Sequence, residues 1–460
     1  MLLNRSVSIF LRGRKALVNE TLVKDYNRFL NNVSLARKLP AIREMVDIQQ
    51  KSSQTMISFA AGMPSFEMSP FQEATFKLKD GSSLTMDETS IKKLTPYTSS
   101  QGLPELVELL EKLQIEEHNP PTCRISCNGE GREMDLVVTT GNQDGLCRTL
   151  EMFISPGDNI LMVTPTYPGI LAVLDPHGCN VLGVDSDQEG MKPSHLREIL
   201  SRWNPSDVSK PRQEVPDIPR ILYLNPNGGN PTGAGLTMER KKEIYEIARN
   251  YNLLIIEDDP NYYVQFTRPR VPSFLSLDED GRVIRLDSFS KVLSAAGLRL
   301  GFVTGPKLLL QRLVLHTVAG VLHSSSLPQI LAFQLLNQWG FEGFRNYADE
   351  VSQFYLKKRN MLLAAAGKWL TGLAEWTVPN GGLFLWIKIL GIDDTHKMIT
   401  DKAIEKQVLL VPGNAFFQDS GKKSSYVRAS FSDQTWEEMD EGMRRLAELI
   451  KEELKGKKED

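Results

Sequence analysis

Asp287-Ser288-Phe289-Ser290-Lys291-Val292-Leu293-Ser294-Ala295-Ala296-Gly297-Leu298-Arg299-Leu300-Gly301 is the stretch that decides how this chain is read. An apolar run (Val283, Ile284, Leu286) ends in two hydroxyls, Ser288 and Ser290, on either side of Phe289. Lys291 follows, then small residues, then Arg299. A lysine amine condenses with an aldehyde. Two hydroxyls and a planar guanidinium fork hold a phosphate dianion. The pattern therefore points to a small ligand that carries both an aldehyde and a phosphate. A lone lysine is ordinarily a solvated surface charge; the hydroxyls, glycine and arginine at set offsets are what single out Lys291.

Working outward, short β-branched runs alternate with helical patterns from about residue 135. The runs are Leu136-Thr140, Asn159-Thr164, Asn180-Asp185, Arg220-Asn225, Leu253-Asp258, Val283-Asp287 and Leu300-Thr304. They are apolar and mostly unalternated, as in strands covered on both faces. Stretches such as Glu239-Tyr251 place apolar residues at helical spacing. This predicts an α/β fold with a large, mainly parallel seven-stranded sheet. After about 325 the pattern changes to long helices (Leu327-Trp339, Tyr347-Leu370), a strand at Gly381-Ile387 and a terminal amphipathic helix at Trp436-Leu454. The reading is a large domain over 56–340, a smaller α+β domain over 341–460, and an arm over 25–55 that joins the smaller domain and is interrupted at Pro40. The Pro- and charge-rich stretch 202–218 reads as an exposed excursion.

The chain has 460 residues, 41% hydrophobic and 24% charged, with a formal net charge of -3. That balance is ordinary for a globular enzyme and gives no sign of a nucleic-acid partner. No apolar run is long enough to cross a bilayer. Cys123, Cys127, Cys147 and Cys179 form neither a disulfide framework nor a completed metal site. Residues 1–24 read as a mitochondrial leader, because Arg5, Arg12, Arg14 and Lys15 stand among serines and apolar residues without an acidic one over the first nineteen positions. A disordered basic tail on a cytoplasmic protein is the alternative.

In open α/β sheets ligands bind beyond the carboxyl ends of strands, so polar residues at strand ends are the candidates. Thr140-Gly141-Asn142-Gln143-Asp144-Gly145 opens a helix, where Asn142 and Gln143 could join a phosphate cup; a plain capping turn has the same composition. Asn225-Pro226-Asn227-Gly228-Gly229-Asn230-Pro231-Thr232-Gly233 follows a strand, as many Gly/Pro loops do. Ile255-Ile256-Glu257-Asp258-Asp259-Pro260-Asn261-Tyr262 puts a carboxylate at a buried strand end, which is costly unless paired. Tyr167 lies in a Pro-flanked turn, and Arg428 stands among apolar residues in a short strand.

Taken in chain order, these segments resemble the class I aminotransferases over nearly everything from about 26 to 455. The resemblance implies the pyridoxal-phosphate-dependent transferase fold (fold type I) and pyridoxal 5'-phosphate as cofactor. It makes Lys291 the catalytic base that also holds the cofactor aldehyde. Asn142, Gln143, Ser288, Ser290 and Arg299 would surround the phosphate, and Tyr97 would reach the phosphate of a neighbouring subunit, which implies a homodimer with shared sites. Tyr167 would stack on the pyridine ring, Asn230 would meet the phenolic oxygen, Asp258 the ring nitrogen, and Arg428 the substrate carboxylate. The family usually has tyrosine where Asn261 stands. Asn261 is still an amide donor for the same oxygen, and a shifted assignment through Asp259 and Tyr262 stays open.

Within the class, KLPAIREM (38–45), ISFAAGMPSFEMSPF (57–71) and LVPGNAF (410–416) resemble the subgroup that transaminates L-kynurenine and L-2-aminoadipate with 2-oxoglutarate as acceptor, in tryptophan and lysine degradation. That resemblance adds Arg43 and Gly62 to the substrate residues Tyr167, Asn230 and Arg428. The chain departs from the subgroup at Asn142, at Asn261, and in a lysine-to-arginine gap one residue longer. The alternatives are a broad-specificity aminotransferase for aromatic or other amino acids, a β-lyase or decarboxylase on the same fold, a cofactor-sensing transcriptional regulator, and a non-catalytic homologue. The regulator would need a DNA-binding module that the residues before Met56 do not supply.

Overall fold

The β-branched runs become strands wherever the sequence places them. The computed structural model describes residues 23, 25–51, 57, 59–60, 62–124, 133–208, 210–419 and 421–459, so the predicted leader lies almost wholly outside the described residues. A hairpin of β1 (Ala74–Lys77) and β2 (Ser83–Met86) precedes eight further strands: β3 (Met134–Thr139), β4 (Asn159–Thr164), β5 (Asn180–Asp187), β6 (Gly190–Met191), β7 (Ile221–Leu224), β8 (Leu254–Asp258), β9 (Val283–Ser288) and β10 (Gly301–Pro306). These eight form one sheet in the order β3-β10-β9-β8-β7-β4-β5-β6. Strands β5, β4, β7 and β8 pair in parallel, while β10 is antiparallel to both β3 and β9. The strand beyond the seven expected is β6, two residues long at the edge. Every residue of β7 and β8 is buried, so neither shows the apolar–polar alternation of a half-exposed strand.

By internal packing the chain divides into two compact units. One comprises the described parts of Met1–Ile154 with Leu275–Ser290 and Ser294–Arg345. It holds β3, β10 and β9. Gly301 lets β10 lie close to its neighbours, since a Cβ there would come within 2.9 Å of the Asn142 amide and the Asp287 carbonyl. The arm contributes two helices, Asn32–Ala36 and Ala41–Lys51, on either side of Pro40. Asn31 caps the first: its Oδ1 accepts from Ser34 N at 2.8 Å, and its Nδ2 donates to the carbonyls of Glu151 and Ile154.

The other unit comprises Ser155–Phe274, Lys291–Leu293 and Asn346–Asp460. It holds β4 to β8 and a second sheet of β11 (Ala374–Trp376), β12 (Phe384–Ile389), β13 (Val411–Pro412) and β14 (Tyr426–Ser430), antiparallel in the order β11-β12-β14-β13. The helix Trp436–Glu459 lays Met439, Met443, Leu446, Ala447 and Ile450 into the same core as Leu385, Ile387, Val427 and Phe431. Those spacings of four, three, one and three trace one helical face, and each large side chain so buried contributes roughly 1.5–3 kcal/mol. The helix starts at a reciprocal cap: Thr435 N donates to Glu438 Oε2 at 2.7 Å and Glu438 N to Thr435 Oγ1 at 3.2 Å. The stretch read as an excursion is pinned rather than loose. Trp203 Nε1 donates to Asp217 Oδ2 at 3.0 Å, Arg212 pairs with Asp158, and Val208 and Ile218 are buried.

Candidate active site

The residues proposed for the phosphate side lie mainly in the first unit. Gly141 precedes the helix Asn142–Phe153 with a φ of 78°, and the helix starts without a side-chain cap. Arg299 reaches this turn. A Cβ on Gly141 would lie 2.5 Å from Arg299 Nη2, so only glycine leaves room for the guanidinium. Arg299 is exposed, takes a left-handed backbone (φ 51°), and donates through Nη1 to the Ala296 carbonyl at 2.9 Å. A helix N-terminus and a guanidinium together favour a dianion. Ser288 and Ser290 sit two residues apart where β9 runs into the one-turn helix Phe289–Val292. Their hydroxyls are 2.9 Å apart, and Ser290 N donates to Ser288 Oγ at 3.1 Å.

Three more predicted positions belong to this unit. Arg43 is buried and donates to the carbonyl of Thr98, the residue after Tyr97. Its guanidinium thus meets a partner within its own unit. Tyr97 is exposed and meets His323 edge-on, with ring centroids 6.1 Å apart. Gly62 lies in exposed coil, where an added Cβ would meet nothing within 4 Å.

The second unit brings the ring and carboxylate residues together. Asp258 ends β8 and is buried. Tyr223, on neighbouring β7, donates its hydroxyl to Asp258 Oδ2 at 2.6 Å. Asn225 donates through Nδ2 to the Asp258 carbonyl, and its Oδ1 accepts from Asn230 N at 3.3 Å. Asn230 in turn accepts through Oδ1 from Arg428 Nη1 at 2.9 Å. The Arg428 guanidinium carbon stands 4.1 Å from the ring centre of Phe384 and 5.1 Å from that of Phe416. Burial against these rings lowers the Arg428 pKa, and the Tyr167 phenol opposes that shift. Burial likewise raises the Tyr223 pKa well above the usual phenol value, with the Asp258 carboxylate next and Tyr167 also contributing. Tyr167 therefore shares a neighbourhood with both, and Thr166 N donates to the Phe416 carbonyl at 3.0 Å. Lys291, half-buried, is the third residue of the helix Phe289–Val292.

Asn261 is committed differently from the tyrosine it replaces. Its Nδ2 donates to the carbonyl of Gly228 at 3.0 Å, inside the asparagine turn. The neighbouring Asp259 carboxylate accepts from Asn227 Nδ2 at 2.9 and 3.0 Å. Gly228 has a φ of +54°, and a Cβ there would overlap Gly381 and Gly382. The turn thus lies directly on the Gly-Gly pair that leads into β12.

Sequence reasoning missed Tyr223, Phe384 and Phe416, and placed Asn225 in the turn without its part in holding Asp258 and Asn230. The available signal was a phenol inside an otherwise apolar strand, since a buried tyrosine hydroxyl needs a partner. These residues fit pyridoxal phosphate part by part: the glycine-made cradle beside Arg299 suits its phosphate, and the buried, hydrogen-bonded Asp258 carboxylate suits its ring nitrogen. Among the described residues no group of three or more His, Cys, Asp or Glu is placed to hold a metal, and no helix is long and apolar enough to cross a membrane.

Residues 54–446 match the family model described as aminotransferase class I and II. The chain is 51% identical over 430 residues to mouse (Mus musculus) kynurenine/alpha-aminoadipate aminotransferase, mitochondrial, covering 94% of this chain and all of the mouse protein. Among solved structures it is similar to the aminotransferase Aro8 of Candida albicans, with a TM-score of 0.81 and 26% identity over 94% of this chain and 99% of that one. It is also similar to the Pyrococcus horikoshii kynurenine aminotransferase solved with PMP, kynurenine and its product, with a TM-score of 0.71, 26% identity and the same coverage.

Proposed function

The chain belongs to the class I and II aminotransferase family, and from that premise we propose a transaminase that moves the amino group of L-kynurenine or L-2-aminoadipate to 2-oxoglutarate. Identity of 51% over 94% of the chain to the mouse relative is the observation that carries this substrate choice. The reaction itself is carried by the Arg428–Asn230 pair beside Asp258.

Pyridoxal phosphate, when bound, supplies an aldehyde for amines to condense with and a ring that accepts the electron pair of a Cα–H bond. Arg428 binds the α-carboxylate through its fork, and Asn230 holds that guanidinium in place. This would fix the orientation of the substrate's Cα and present its Cα–H bond for proton removal. The Lys291 amine would take the Cα proton and later return it, acting first as base and then as acid. Asp258 would hold the cofactor's ring nitrogen in its protonated form, and Tyr167 would cover the ring. Asn142, Gln143, Ser288, Ser290 and Arg299 would bind the phosphate. Asn230 and Asn261 are the amides assigned to the phenolic-oxygen side. Arg43 and Gly62 are assigned to the substrate edge, and Tyr97 to a shared site in a homodimer. The same reading keeps a large domain over 56–340, a small one over 341–460 joined by the arm 25–55, and import into the mitochondrial matrix under a leader at 1–24. The mouse relative's own name carries the word mitochondrial.

The test is spectroscopic. The protein is loaded with pyridoxal phosphate, and its visible band is followed as L-kynurenine or L-2-aminoadipate is added, then 2-oxoglutarate. Loss of the band with the amino acid and its return with the oxo acid is the expected result. A band that never cycles would overturn the reading. A second reading, a broad aromatic aminotransferase, is favoured by the Phe384 and Phe416 rings around Arg428. It predicts faster cycling with phenylalanine or tyrosine than with 2-aminoadipate.

A further inference from the structure

Tyr223 belongs to none of the motifs, yet its hydroxyl lies 2.6 Å from the Asp258 carboxylate. We propose that Tyr223 is a positioning residue for Asp258: its hydroxyl engages Oδ2 and makes the carboxylate a weaker base, so that the proton shared with the cofactor's ring nitrogen stays on the nitrogen. The proposal rests on the reading of this site as a pyridoxal-phosphate transaminase.

The geometry supports this in three ways. The phenol is wholly buried, with its ring on β7 and its oxygen 2.6 Å from the carboxylate of β8. Burial first, then the charge of Asp258, suppresses its ionisation, so it remains a donor at any working pH. A hydrogen bond donated to a carboxylate favours the charged form and lowers its proton affinity. Asn225, two residues on, restrains the same aspartate from the other side by donating to its carbonyl, and ties it to Asn230. The end of one strand thus controls both the main-chain position and the basicity of Asp258. Without the hydroxyl the carboxylate becomes the stronger base. The proton then moves from the ring nitrogen to a carboxylate oxygen, the ring becomes neutral, and the Cα–H bond loses acidity. No atom is gained or lost in this transfer.

Tyr223→Phe keeps the ring and removes the donor. Wild type and variant are each loaded with pyridoxal phosphate and, separately, with its N1-methylated analogue, whose ring charge cannot be lost to a carboxylate. Three quantities are read: the half-reaction rate with amino acid, the cofactor dissociation constant, and the pH titration of the visible band. The proposal expects the variant to be roughly 10- to 100-fold slower with the ordinary cofactor, the scale of one hydrogen bond to a charged group. It expects the two proteins to agree within about 3-fold with the methylated one, and a shifted band titration. An equal loss with both cofactors would mean a purely structural role and overturn it, as would no loss at all or a Tyr223→Phe protein that fails to fold. In an Asp258→Asn background the second change should add nothing to the rate; a further loss there would also overturn it. If wild type binds the cofactor but does not cycle, the transaminase reading fails, while the band titration and dissociation constant still decide the role of Tyr223.

Discussion

The asparagine turn Asn225–Gly233 and the lysine segment Ser288–Arg299 are both assigned chemistry in the proposed function, but they are held in different ways. In the turn, side chains are locked by protein. Asn225 bridges Asp258 and Asn230, Asn227 binds both oxygens of Asp259 and accepts from the buried Lys241 ammonium at 3.5 Å, and Gly228 packs on Gly381 and Gly382. In the lysine segment the hydroxyls bond to each other, and Arg299 stands exposed with a carbonyl of its own turn. Where the proposed function needs an electron sink aimed, the protein supplies a rigid frame. Where it needs a highly charged phosphate bound, a few donors near a helix end suffice, because an anion draws them in. The turn should therefore couple function to stability, whereas the lysine segment should not.

The largest effect expected is from Lys291→Ala. It removes the proposed base and should cut turnover by about 10²- to 10⁴-fold, while the melting temperature of the cofactor-free protein stays within a few degrees. Steady-state kinetics and a thermal melt read both numbers, and retained transamination would remove Lys291 from its assigned role. Gly228→Ala should do the opposite. Its Cβ would overlap the backbone of Gly381 and Gly382 at a φ that disfavours any side chain, at a cost of roughly 3 kcal/mol or more. Denaturant unfolding of the cofactor-free protein would show it; unchanged stability would break the comparison.

Arg428→Lys comes next. A point charge replaces a fork held by Asn230 and two rings, so KM for the amino acid should rise about 10- to 100-fold, with a smaller change in kcat. A fall in kcat at constant KM would place Arg428 outside carboxylate binding. Arg299→Ala should have the smallest effect: weaker cofactor binding by about 10-fold, seen by titrating the cofactor-free protein, with no loss of stability. A destabilised Arg299→Ala protein would show that the lysine segment is as structurally committed as the turn.

Much of this was legible in the sequence. Seven apolar runs predicted seven of the eight strands of the large sheet within about two residues, because fully buried strands need unbroken apolar runs and the turns between them need Gly, Pro and Asn. The break at Gly340, φ 63°, falls between the two helices read from periodicity. The two-residue strand β6 was not legible, since a bridge that short has no pattern of its own. Asn261 was visible as a departure from the family tyrosine; that its amide holds the Gly228 carbonyl was not.

The order of asparagine turn, aspartate, lysine and arginine is a property of the linear chain. With it come the fold class and the kind of reaction, because each motif is local and the asparagine turn, aspartate and lysine each follow or close a strand. Tertiary structure alone decided the partners. Tyr223 and Asp258 are 35 residues apart, and Asn230 and Arg428 are 198 apart. No local pattern encodes which buried donor meets which buried acceptor; that follows only when strands pair in register and the desolvated groups must satisfy one another.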